Sequence, residues 1–169
     1  MSYRNKTYVA FASENIHLYR LMAAWKANNN IDFDFYNAHE LFIARDSSKP
    51  ETIKRNLRER LKNAKQVVLI GTPEARAKGS DGESFLAHEV EVLMEFDLPV
   101  VVANHDGDRT VDRNFIPEPL LAAKYHTISV SLQPAIIKYA LDNYAATYSS
   151  SLDEGAYFYK ASVYQALGI

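Results

Sequence analysis

Residues 66–105, QVVLIGTPEARAKGSDGESFLAHEVEVLMEFDLPVVVANH, decide the fold of this chain. The segment begins and ends with apolar, β-branched runs, Gln66–Gly71 and Leu98–Asn104, which are typical of strands covered on both faces of a parallel sheet. Between them, the spacing of the apolar residues predicts a helix over Ser84–Phe96. We expect Thr72–Glu83 to be a loop. A strand, a crossover helix and a second strand predict a right-handed β-α-β unit.

One carboxylate interrupts the apolar face of this helix. At about 100° per residue, Glu89 falls among Phe85, Leu93 and Phe96, on the side that faces the sheet. The opposite, solvated arc is predicted to hold Ala87, His88, Glu91 and Glu95. Burial of a carboxylate is unfavourable unless the group is paired, protonated or used in chemistry. Glu89 is therefore the candidate functional residue of the helix.

The rest of the chain continues the alternation of strands and helices. Three further strands are predicted: Thr7–Ala12, Ile31–Tyr36 and Lys124–Val130. Helices are expected after the first strand, over Glu51–Ala64 and from Pro134 onward. This pattern predicts an α/β fold with a five-stranded parallel sheet and right-handed crossovers.

The composition is that of one globular domain. The chain has 169 residues, of which 47% are hydrophobic and 24% charged. Its net charge of −2 gives no reason to expect nucleic acid or a membrane as a partner. The absence of cysteine excludes disulfides and thiolate chemistry. No apolar run follows the first basic residues and none approaches ~20 residues, so we expect a cytoplasmic protein.

The C-terminal part of the sequence has a different character. A polar joint, Ser149–Ser151, separates a domain at residues 1–148 from an aromatic-rich extension at residues 149–169. Two interpretations of the extension remain open: a C-terminal helix that packs on the domain, or a contact with a second subunit.

The motifs of several common α/β proteins are missing. The chain has no Gly-rich run ending in Lys-Ser or Lys-Thr, no G-x-G-x-x-G after the first strand, and no G-x-S-x-G. An Asp is absent from the end of the third predicted strand, where Gly71 and Thr72 stand. The five histidines lack metal-ligand spacing, so no metal site is predicted.

Open α/β sheets bind ligands beyond the carboxyl ends of their strands. Four segments are expected at that edge: Ser13–Asn15, Asn37–Asp46, Gly71–Ser84 and His105–Arg109. The first turns of the helix that carries Glu89 begin there, so its carboxylate is expected to face the crevice.

An ordered set of motifs resembles the TIR superfamily, most closely the TIR-like family of bacterial Thoeris antiphage systems. The set is YVAFAS at 8–13, DFDFYNAHEL at 32–41, VVLIGTPEAR at 67–76 and SFLAHEVEVLMEFDLPVVVAN at 84–104. Ser84, Phe85, Glu89 and Pro99 match the Ser-aromatic-x-x-x-Glu helix and following strand of TIR-type proteins, with Phe85 in place of the usual Trp. The first strand lacks the usual Ser-Tyr-Ser followed by Asp. The standard Arg-Asp-Pro-Gly after Tyr36 is also absent, and Arg45-Asp46 stands in for part of it.

The resemblance implies a flavodoxin-like, TIR-like α/β fold of three layers, with the strand order 2-1-3-4-5. It also implies cleavage of the nicotinamide–ribose bond of NAD, with hydrolysis or cyclisation of the ADP-ribose, in a bacterial or archaeal defence pathway. NAD is then a substrate, and no resident cofactor is expected. Glu89 is the expected catalytic carboxylate, which stabilises the positive charge that grows on the ribose. The expected substrate contacts are Phe11 and Phe85 by stacking, Ser13, Tyr36, Asn37 and Ser84 by hydrogen bonding, and Arg45 and Asp46 over the nicotinamide end. The expected partners are further copies of the chain and a downstream nucleotide-sensing effector.

Other interpretations remain open. Glu89 can be a buried carboxylate paired with a Lys or Arg from a neighbouring element. The protein can be a non-enzymatic TIR-like scaffold that acts through helix surfaces and its Tyr-rich tail. A nucleoside deoxyribosyltransferase-like enzyme, in which Glu89 attacks the sugar directly, is the third possibility.

Overall fold

The structure is a computed structural model that describes residues 7–35, 49–148 and 154–169 of the chain. Its centre is a five-stranded sheet in which every pair of neighbouring strands is parallel. The strands are β1 (Thr7–Ala10), β2 (Gln66–Gly71), β3 (Val100–Asn104), β4 (Thr127–Ser131) and β5 (Ala156–Phe158). Every residue of β1 to β4 is buried, as the apolar runs of the sequence predict for strands between two layers of helices.

Helices cover both faces of this sheet. They are α1 (Ile16–Ala27), α2 (Pro50–Leu61), α3 (Pro73–Ser80), α4 (Phe85–Glu95), α5 (Glu118–Ala122), α6 (Pro134–Asn143) and α7 (Ala161–Ala166). The predicted α/β class, the three layers and the five-stranded parallel sheet are confirmed. The helix that carries Glu89 is also confirmed, with ends one residue inside the predicted ones.

The predicted strand order 2-1-3-4-5 is confirmed for the first, third, fourth and fifth predicted strands, which are β1 to β4, and differs in detail at the two edges of the sheet. In the described residues the order is β1-β2-β3-β4-β5, which follows the chain. Residues 31–35, predicted to begin the second strand, form no ladder within the described ranges. Their apolar side chains Phe33 and Phe35 are instead buried in the core, with Phe33 edge-on to Trp25 and Phe35 edge-on to Tyr19.

The C-terminal segment supplies the fifth strand of the observed sheet. Ala156, Tyr157 and Phe158 pair with Thr127, Ile128 and Ser129. The sequence pattern does not predict this strand, because three residues are too few to show the two-residue alternation of a strand. Residues 154–169 therefore pack on the domain, whereas the division at residue 148 and a contact with a second subunit stay predictions.

The predicted loop at Thr72–Glu83 is wrong over most of its length, because α3 forms there. Thr72 is the N-cap, and its hydroxyl accepts a hydrogen bond from the Ala75 amide at 2.9 Å. Pro73 occupies the first helical position, where its missing N–H and fixed φ are no disadvantage. Gly79 lies in the last turn of this helix and Gly82 just beyond it, where the φ of Gly82 is left-handed at 73°.

The two faces of the sheet carry different cores. Among the described residues, the aromatic layer under α1, α6 and α7 contains six buried rings: Phe11, Tyr19, Phe33, Phe35, Tyr144 and Tyr164. The aliphatic layer, under α2, α4 and α5, is built mainly from Leu, Val and Ala, and Tyr8 is its one fully buried ring in the part of the chain that the structure describes. Alternate residues of a strand point to opposite faces, so Tyr8, Ala10 and Ala12 join the aliphatic layer while Val9 and Phe11 join the aromatic one.

Candidate active site

Glu89 lies on the sheet-facing side of α4, with 0% of its surface exposed. The Tyr8 hydroxyl, on β1, donates a hydrogen bond to its Oε1 at 2.6 Å. Its Oε2 is also buried and has no hydrogen-bond partner among the described residues. One carboxyl oxygen of Glu89 is thus hydrogen-bonded, and the other is available to a ligand. This inward orientation agrees with the position of Glu89 in the apolar period of the helix.

Burial controls the ionisation of this carboxyl. Loss of solvent raises the pKa of Glu89 from 4.5 to about 8, although the Tyr8 hydrogen bond and the positive charge of Arg60 on α2 both act in the opposite direction. Burial raises the pKa of Tyr8 well above its ordinary value, and the neighbouring Glu89 charge raises it further. Burial therefore favours the protonated form of Glu89 in the unliganded chain.

The predicted solvated arc of α4 is only partly solvated. Ala87 and His88, expected there, are buried, with 8% and 2% of their surfaces exposed. The helical period identifies only the side of α4 that faces the sheet. Because α4 also packs against α2 and α3, residues on its flanks are buried as well. Glu91 and Glu95 are exposed as predicted, and they form ion pairs with Lys54 and Arg58 of α2. Neither ring nitrogen of His88 has a hydrogen-bond partner in the described part of the chain.

The predicted contact residues in the described ranges lie in two different places. Phe85 is half-buried one turn before Glu89 and packs against the aliphatic layer. Ser84 is the N-cap of α4, and its hydroxyl donates to the Asp81 carboxylate. Phe11 lies across the sheet in the aromatic layer and stacks on Tyr19 with 4.8 Å between ring centroids. Ser13 is exposed after β1. The structure thus brings Phe85 close to Glu89 and leaves Phe11 on the opposite face.

Four further predicted contacts, Tyr36, Asn37, Arg45 and Asp46, lie outside the described residues. They belong to the segment between residue 35 and α2. Their roles at the sugar, the phosphates and the nicotinamide end of a substrate stay predictions.

A second polar group lies at the carboxyl edge, between β1 and β2. The Thr72 hydroxyl donates to the Asn15 side-chain oxygen at 2.6 Å, and both residues are buried. The pKa of Glu74, which is exposed in the first turn of α3, is lowered mainly because its own backbone amide donates a hydrogen bond to its carboxylate. This group uses its hydrogen bonds to fix the loop after β1 against the start of α3.

Sequence reasoning missed Tyr8 as a part of the site. In the sequence, Tyr8 is one of several apolar or aromatic residues of the first strand. Its contact with Glu89 joins residues 81 positions apart, which no local pattern shows. A polar hydroxyl within a strand buried on both faces was the available signal, because a buried phenol normally has a hydrogen-bond partner.

The parallel sheet and the inward carboxylate on α4 define a TIR-like α/β domain. The family model described as Thoeris protein ThsB, TIR-like domain, matches residues 8–110, more than half of the 169 residues. The chain belongs to this family of the Thoeris antiphage system. No individual curated protein matches the chain closely enough to be counted as a relative. In the described ranges, no helix is both long and apolar enough to cross a membrane.

Proposed function

We propose that this chain cleaves the nicotinamide–ribose bond of NAD in antiphage signalling, with Glu89 as the catalytic carboxylate. The C–N bond breaks with its electron pair leaving on nicotinamide, and a water or an internal nucleophile of the ADP-ribose then attacks the ribose carbon. Nicotinamide departs as a neutral molecule, so the site needs no strong general acid. The observation that carries the proposal is a buried carboxyl with one uncommitted oxygen on the α4 helix of a TIR-like domain.

The surroundings of Glu89 suit the stabilisation of a developing positive charge. Electrostatic attraction between a carboxylate and an oxocarbenium-like ribose is much stronger in a site without water than in bulk solvent. NAD itself carries a cationic nicotinamide ring. A nearby positive charge favours the ionised carboxylate, so substrate binding is expected to release the proton that Glu89 holds in the unliganded chain.

The decisive experiment measures nicotinamide release from NAD by chromatography, over a wide range of protein concentration. Glu89→Gln keeps the size of the side chain and removes its charge, and we expect a loss of about 10²–10³-fold. Glu91→Gln is the matched control, because Glu91 lies half a turn further along the same helix and is exposed in an ion pair with Lys54. We expect its activity to stay within about twofold of wild type. The proposal is wrong if the wild-type protein releases no nicotinamide at any concentration, or if Glu89→Gln is as active as Glu91→Gln.

Full burial of Glu89 also favours a second candidate, a non-enzymatic TIR-like scaffold. A protonated carboxyl hydrogen-bonded to a buried phenol is compatible with a purely structural role. The scaffold predicts that Glu89→Gln retains antiphage protection in cells, while changes on exposed helix surfaces abolish it. The enzyme predicts the reverse. A covalent sugar adduct on Glu89, detected by mass spectrometry, would instead indicate the deoxyribosyltransferase-like reaction.

A further inference from the structure

We propose that Tyr8 is a positioning residue of this site: its hydroxyl holds Oε1 of Glu89 and thereby turns Oε2 toward the ribose of the substrate. The inference rests on the proposed function, and it assigns different tasks to the two oxygens of one carboxyl. Tyr8 itself does not touch the reacting atoms.

The first argument is geometric. Tyr8 is 1% exposed on β1, and Glu89 is fully buried on α4. Their 2.6 Å hydrogen bond joins a strand to a helix, and both belong to rigid, buried elements of the aliphatic layer. Fixing one carboxyl oxygen from a strand fixes the plane of the carboxyl group, and hence the direction of the other oxygen. A site held by such elements is more precise than one held by loops.

The second argument is that the two carboxyl oxygens of Glu89 differ in their hydrogen bonding. A buried carboxyl with a purely structural role is expected to have both oxygens hydrogen-bonded, because an unsatisfied buried acceptor is costly. Here Oε1 has a partner and Oε2 has none among the described residues. The unused acceptor is the atom available to ribose hydroxyls or to the charge that develops at the ribose carbon.

Few titratable groups act on this pair. Arg60 on α2 favours the ionised form of Glu89, and Tyr19 on α1 acts weakly on Tyr8 from the other side of the sheet. His88, the preceding residue on α4, is the nearest buried titratable side chain along the chain. Since the Tyr8 hydroxyl donates to the charged form of Glu89, its removal is expected to make ionisation of Glu89 harder.

The test is Tyr8→Phe, which keeps the ring and removes the hydroxyl. We expect nicotinamide release at pH 7 to fall about tenfold. The midpoint of the pH–activity profile is expected to move upward by about one pH unit. Tyr164→Phe is the matched control, because it removes a buried tyrosine hydroxyl from the aromatic layer, where the Ser131 amide donates to it at 3.2 Å. If loss of the Tyr8 hydroxyl only lowered the stability of the fold, activity would fall in both variants and neither pH–activity profile would move.

A second readout does not depend on activity. In protein with ¹³C-labelled glutamate, the Glu89 carboxyl signal is identified by its absence in Glu89→Gln and is then titrated in wild type and in Tyr8→Phe. The inference expects the Glu89 midpoint to be higher in Tyr8→Phe and unchanged in Tyr164→Phe. An unchanged Glu89 midpoint in Tyr8→Phe overturns the inference, even where the wild type is active. Absence of nicotinamide release from the wild type overturns the proposed function instead, so the two failures are distinguishable.

Discussion

The two faces of the sheet differ in the kinds of buried polar group that they carry. In the aromatic layer, the phenols of Tyr144 and Tyr164 have backbone partners, the His126 carbonyl and the Ser131 amide, whereas the buried hydroxyl of Tyr159 has no partner in the described ranges. In the aliphatic layer, Glu89 and His88 are buried with polar atoms that lack partners in the described ranges. Satisfied polar groups stabilise a core, whereas unsatisfied ones cost stability and are expected where a ligand completes them. An unpaired oxygen costs more on an ionisable carboxyl than on a neutral phenol, so Glu89 is the buried group for which we most expect a ligand.

The C-terminal segment strengthens the aromatic layer at the carboxyl edge. The Tyr164 ring on α7 is fully buried, and the Arg109 guanidinium lies over it at 4.3 Å from the ring centroid. Arg109 belongs to the loop after β3, within the part of the chain that the family model matches, whereas Tyr164 lies beyond it. The last residues of the chain therefore hold a loop at the edge where substrate is expected.

The largest stability effect is predicted for Tyr164→Ala, which tests the stabilising role of the aromatic layer. Removal of a fully buried ring is expected to lower the free energy of unfolding by about 3–5 kcal/mol. Tyr164→Phe, which loses only the hydroxyl, is expected to cost about 1 kcal/mol. Urea denaturation followed by circular dichroism measures both values. Equal losses in the two variants would show that the hydroxyl, rather than the ring, is what the layer requires.

A smaller loss is predicted for Gly79→Ala, which tests the packing of α3 beside the aliphatic layer. A Cβ at Gly79 would meet Pro117 Cγ at 2.5 Å, and a proline ring has little freedom to move away. Alanine is the better helix former, but the overlap outweighs that gain, so we expect a net destabilisation of about 1–2 kcal/mol. Thermal unfolding measures it, with Ala77→Gly on the exposed side of the same helix as the control for helix propensity. A stabilised Gly79→Ala variant would contradict close packing at this point.

The pH dependence of stability tests whether burial raises the pKa of Glu89 in the folded protein. Its pKa is raised from 4.5 to about 8 by burial, so between these values the folded protein keeps a proton that the unfolded chain has lost. Stability consequently falls as pH rises through this window, with a contribution from Glu89 of up to about 1.4 kcal/mol per pH unit. Glu89→Gln lacks the titrating group and is expected to gain stability relative to wild type from pH 6 to pH 8. Parallel stability curves for the two proteins, measured by urea denaturation, would contradict the raised pKa.

The smallest effect is predicted for the ion pairs on the outer surface between α2 and α4. Lys54→Ala removes a 2.9 Å pair with Glu91, whose side chain is 55% exposed. Exposed pairs contribute little, so we expect a loss below about 1 kcal/mol that shrinks further at high salt. Thermal unfolding at low and high salt measures this loss. A salt-independent loss above that value would place Lys54 among the groups that support the site rather than on its surface.

Local periodicity was enough to predict much of the fold. The apolar runs at β2 and β3 and the helical spacing in α4 identify the α/β class and the inward side of the helix. The same period misplaced Ala87 and His88, because it gives no information about a second helix that packs on the flank. It also missed β5, since three residues pair through backbone hydrogen bonds that any sequence can form.

The sequence by itself determined that Glu89 lies on the sheet-facing side of α4, because the 3.6-residue period of a helix is a property of consecutive residues. Only the tertiary structure decided what meets that carboxyl. The phenol of Tyr8 approaches from 81 residues away, Arg60 acts from α2, and one oxygen is left without a partner in the described chain. These features depend on how distant segments pack, and side-chain partners across a core are set by shape and burial rather than by spacing along the chain.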